Sequence, residues 1–85
     1  MSEYTVGGEI REFFVDAKDE EYVWHRDLED REIEVLKGEG WQLQYENCLP
    51  YHLTKGMIFD IPKGEYHRLI KGYNTLKVRI IKKDG

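Results

Sequence analysis

The sequence predicts an all-β domain. Three observations lead there. Short apolar stretches alternate with polar residues at a period of two, turn residues recur at roughly ten-residue intervals, and no stretch holds a convincing helical period. Seven or eight short strands joined by such turns make an antiparallel sandwich or barrel.

Met1 to Gly8 is a loose start, with room for a short edge strand at Tyr4–Val6. Glu9–Ala17 carries Ile10, Phe13, Phe14 and Val15. It reads as a strand rather than two turns of helix, because Phe and Val favour a pleated, half-buried surface. Asp16–Glu21 is an acidic turn, Tyr22–Asp27 a strand and Leu28–Asp30 a tight reversal. Arg31–Lys37 alternates clearly, with Ile33 and Val35 on one face and Glu32 and Glu34 on the other. Gly38-Glu39-Gly40 supplies a hairpin turn with positive φ. Trp41–Glu46 alternates again, with Trp41, Leu43 and Tyr45 on one face. Asn47–Lys55 is a loop holding Cys48, Pro50, Tyr51 and His52. Met57–Ile61 is a strand that stops at Pro62, and Pro62-Lys63-Gly64 is a turn. Tyr66–Ile70 is a strand, Lys71–Asn74 a turn, and Leu76–Ile81 the last strand.

Composition bounds the function. The 85 residues suit one domain with one modest core. Charged residues are 35% and hydrophobic ones 40%, a folded and well-solvated composition. A net charge of −4 argues against a nucleic-acid partner, which calls for a basic patch. Acidic residues crowd the front (Asp16, Asp19, Glu20, Glu21) and basic ones the end (Lys77, Arg79, Lys82, Lys83), as solvated faces do. No apolar run has signal-peptide or membrane-span character, so no membrane partner is expected. The single cysteine, Cys48, forms no intrachain disulfide and fits a reducing compartment. The expected location is cytoplasmic.

The chemistry concentrates in Trp24-His25-Arg26-Asp27. On a strand His25 and Asp27 point one way and Arg26 the other. An imidazole beside a carboxylate on an inward face is favourable when both hold a cation. His67, far along the chain, is the third candidate ligand.

These residues resemble the two motifs of the cupin family. That family's first motif is His-x-His, three or four residues, Glu, six residues, Gly; here it is matched in spacing by His25-Arg26-Asp27, Arg31 and Gly38. The second is Gly, five residues, Pro-x-Gly, two residues, His, three residues, Asn; here it is Gly56, Pro62-Lys63-Gly64 and His67, with Lys71 last. The resemblance covers Tyr22–Lys71 and implies a single cupin-like domain over 1–85, a small jelly-roll β-barrel or double-stranded β-helix. The family binds a divalent metal through three His and the Glu. Here His25 and His67 keep that identity, and Asp27 is a chemically sensible replacement. Arg31, in the Glu position, is no ligand, because guanidinium stays protonated and has no lone pair.

What remains is the two-His, one-carboxylate set of non-haem Fe(II) oxygenases, with open positions. Fe, Mn, Ni and Zn all accept these donors. The resemblance implies a metal-dependent oxygenase or isomerase acting on a small anionic molecule, with Arg31 as partner of Asp27 or as the anion's anchor. Two alternatives stand beside it. One is a non-catalytic barrel that holds a sugar or acid, with Asp27 and Arg31 paired. The other is a structural or regulatory part of an assembly, since a chain this short gains stability as a homodimer. His52 and Cys48 read as surface and idle groups.

Overall fold

The computed structural model describes residues 9–82, of Lys82 only the backbone. The edge strand expected at Tyr4–Val6 and the terminal Lys83 lie outside them. Seven strands follow: β1 Glu9–Phe13, β2 Arg31–Lys37, β3 Gln42–Tyr45, β4 Tyr51–His52, β5 Ile58–Ile61, β6 His67–Ile70 and β7 Leu76–Lys82. The only helical element among the described residues is one 3₁₀ turn, Glu20–Tyr22.

The strands form two antiparallel sheets, ordered β1-β7-β2-β5 and β4-β3-β6. The His25 segment adds a fourth member to the second sheet through one bridge: the amide of His25 donates to the carbonyl of His67 at 3.0 Å, and that of His67 to His25 at 2.9 Å. With that segment counted, every connection except β3–β4 carries the chain from one sheet to the other, which is a jelly-roll order. The sheets pack face to face and are not joined by ladder hydrogen bonds into a closed wall.

Period-two alternation decides what is buried. Ile33 and Val35 of β2, Leu76, Val78 and Ile80 of β7, and Trp41 and Leu43 beside and within β3 meet in one core. Trp41 is wholly buried, and its indole N–H donates to the carbonyl of Asn74 at 2.6 Å.

Three expectations need correction. Tyr51–His52, inside the stretch read as a loop, is the short strand β4 and pairs with β3. Gly38-Glu39-Gly40 does take positive φ at Gly38 (139°) and Gly40 (80°), but β2 and β3 do not pair. The turn moves the chain between sheets; a Cβ on Gly40 would come within 2.6 Å of the Tyr73 ring. Tyr22–Asp27 is not a continuous strand either. Asp19 caps the 3₁₀ turn, accepting from the amide of Glu21 at 2.9 Å. Tyr22 then turns its ring onto Phe13 and Trp41 and donates its hydroxyl to the carbonyl of Phe14 at 2.8 Å. Packing of that ring outweighs the strand propensity of Tyr22-Val23-Trp24.

Candidate metal centre

His67 opens β6 and is 1% exposed. His25 lies opposite it across the single bridge, with ring centroids 4.3 Å apart. Both rings are latched the same way, each to the carbonyl two residues earlier: His25 Nδ1 to Val23 at 2.8 Å and His67 Nδ1 to Glu65 at 2.7 Å. A carbonyl only accepts, so Nδ1 carries the proton and, in the neutral ring, Nε2 keeps its lone pair. The two lone pairs therefore face the same small volume.

Two carboxylates share it. Glu21 Oε1 is 2.9 Å from His25 Nε2. Asp27, buried, places Oδ1 4.0 Å from His25 Nε2 and Oδ2 3.5 Å from His67 Nε2. Arg31, inward from the first strand position of β2, puts Nη1 3.6 Å from Asp27 Oδ1. The fold thus brings together His25, Asp27, His67 and Arg31 and adds Glu21.

The donor atoms of Glu21, His25 and His67 all lie within 4.8 Å of one another, so they can hold a metal ion. Metal–nitrogen and metal–oxygen bonds of about 2.0–2.2 Å put ligand atoms about 3–4 Å apart, close to this spread. Four buried polar atoms here make no hydrogen bond: His25 Nε2, Asp27 Oδ2, Arg31 Nε and His67 Nε2. Buried polar atoms are ordinarily satisfied, and two of these are imidazole nitrogens facing carboxylates. A cation among them satisfies both donor types, so the residues fit a divalent ion.

Two turns hold this geometry. The amide of Gly64 donates to the carbonyl of Asp27 at 2.9 Å, and the amide of Lys63 to Asp30 Oδ1 at 2.7 Å. The Pro62–Gly64 turn before His67 is thereby stitched to the reversal after Asp27. Behind His67, Tyr45 stacks on Tyr51 and donates its hydroxyl to the carbonyl of Asp60 at 2.9 Å. Burial pushes the Tyr45 and Tyr51 phenols up from the ordinary tyrosine range, so both stay protonated donors at neutral pH.

His52 and Cys48 are exposed and take no part. Glu21 is the group that sequence reasoning missed, filed within the acidic Asp16–Glu21 turn. Alternation gave no reliable signal for it: Val23, of the same parity as His25 and Asp27, is 60% exposed, and it is the 3₁₀ turn that carries Glu21 to His25 four residues on.

The chain matches no protein-family model and no curated protein sequence. Among solved structures it is similar to the crystal structure of protein NMB1881 from Neisseria meningitidis, with a TM-score of 0.63 at 17% identity over 99% of this chain and 89% of that one. At that identity the likeness speaks to the fold alone. The class defined by fold and site is thus an all-β, two-sheet jelly roll carrying a Glu/His/His cluster suited to a metal ion.

Proposed function

We propose that this protein is a cupin-type barrel that binds a single divalent ion through His25, His67 and Glu21, with Asp27 beside them and shared with Arg31. One observation carries the reading: two imidazoles latched at Nδ1 turn their Nε2 lone pairs onto one point between two carboxylates. The motif spacing around His25 and His67 and the jelly-roll order support it.

Charge suggests the ligand class. Glu21, Asp27 and Arg31 sum to one negative charge, so a dication leaves one positive charge in a largely buried site. A small monoanion balances it, and Arg31 Nε is a donor without a partner. Bound there, the ion supplies a Lewis acid or, if it is iron, open positions for dioxygen chemistry. Arg31 orients the anion, and the Nδ1 latches keep the imidazoles from turning away.

Elemental analysis tests this. Loaded wild type should carry metal and His67→Gln should not, its affinity falling at least about 100-fold, the upper end of what loss of a mere supporting contact costs. Unchanged metal content in a folded His67→Gln variant overturns the site. The second reading, a non-catalytic barrel, is favoured by the 3.6 Å approach of Arg31 to Asp27. It predicts wild type without metal after loading.

A further inference from the structure

Between the sheets lies a cavity of about 40 Å³. Its polar lining is confined to Glu21, Asp27 and Arg31, at the end that meets the candidate metal centre. All its other lining side chains are apolar, among them Leu69, Val78 and Ile80. Pockets for organic ligands run to about 300–1,000 Å³, so no organic substrate enters this lumen. Water needs two to four polar partners, so it suits the polar end only, and apolar cavities stay dry and take up apolar guests. What fits the remainder is a molecule of two heavy atoms without strong hydrogen bonding. Such a molecule gains dispersion contacts with the walls and is released from the cost of opening a hole in water.

We infer that the lumen is a binding pocket for an apolar diatomic gas, dioxygen foremost, at the inner face of the Asp27–His67 cluster. The anion then approaches from outside and the gas from within. Use of the gas rests on the metal reading above; its binding does not.

The probe is dioxygen itself. Methyl-labelled protein, metal-free or zinc-loaded and so diamagnetic, is placed under rising oxygen pressure and methyl relaxation is followed by NMR. Val35, 1% exposed and outside the lining, reports burial alone; Leu49, 87% exposed, reports bulk collision. Methyls of Leu69, Val78 and Ile80 should relax severalfold faster than those of Val35 and level off with pressure. Rates that match Val35, or that grow linearly as at Leu49, overturn the pocket. Val78→Ile should reduce the effect by filling the cavity, and Ile33→Val should raise it by enlarging it. Should Val78→Ile fail to fold, an unchanged response in Ile33→Val overturns the proposal alone. Levelling-off in a protein that takes no metal overturns the metal reading and keeps the pocket; metal binding without levelling-off does the reverse.

Discussion

The two sheets are built to different standards. In the first, β2 is paired with β7 and with β5, and β7 continues to β1. Its buried inward side chains are apolar; the charged residues on that face are Arg31 at one end of β2 and Glu9 and Arg11 on the edge strand β1, and on its outer face Arg79 pairs with Glu34. In the second, β3 has a two-residue neighbour on one side and β6 on the other, and past β6 only the His25–His67 bridge remains. The buried polar atoms without hydrogen bonds gather at that margin. A continuous ladder fixes every side chain to one face or the other and stabilises the domain. Where the ladder stops, the backbone is free to turn, and Glu21, His25 and Asp27 converge from an irregular segment onto His67. Stability and chemistry are thereby separated within one small domain.

That contrast can be broken or sharpened experimentally. The largest effect should come from Trp41→Ala, which empties the centre of the core and removes the bond to Asn74: about 3–5 kcal/mol of stability in urea denaturation. A loss under about 1 kcal/mol would mean that packing is not centred there. At the margin, Glu21→Gln should leave stability nearly unchanged and weaken divalent-ion affinity by at least about 100-fold in titration calorimetry, more than loss of a supporting contact costs. Asp27→Asn, whose carboxylate already faces Arg31, should weaken it less; the reverse order would make Asp27 the direct ligand.

The tyrosines give a pH signature. With phenol acidity lower in the folded state, the stability from Tyr45 and Tyr51 is fully present below the ordinary tyrosine value of about 10 and is lost as pH rises past it. Denaturation midpoints should fall in that window and fall less in Tyr45→Phe. The smallest effect belongs to Glu34→Gln on the outer face of the first sheet. Its ion pair with Arg79 is well exposed, so stability should change by under about 1 kcal/mol.

The first sheet was the more legible half of the sequence. Ile33 and Val35, and Leu76, Val78 and Ile80, alternate without interruption, and β2 and β7 lie close to where that alternation puts them. The all-β class followed from the same pattern. The Gly38–Gly40 turn was legible in conformation but not in destination, because two glycines permit positive φ without saying which strands they join. The Tyr22–Asp27 strand was misread because Asp19 caps a local 3₁₀ turn and because the seating of the Tyr22 ring on Phe13 and Trp41 is a contact with partners elsewhere in the fold. At the candidate site, His25, Asp27 and His67 were named from spacing and do come together. Glu21 was not named, since an acidic run reads as solvated surface until the 3₁₀ turn brings one of its members inward.

The stitching of the Pro62–Gly64 turn to the Asp27–Asp30 reversal has a thermodynamic consequence. Because main-chain amides join the two loops directly, through the Asp27 carbonyl and the Asp30 carboxylate, the ordering of distant segments belongs to folding rather than to uptake of an ion. The empty protein should then keep its shape and swap one ion for another without melting. Removing the Asp30 carboxylate, which touches neither imidazole, should loosen the grip on the ion by letting the two loops drift apart.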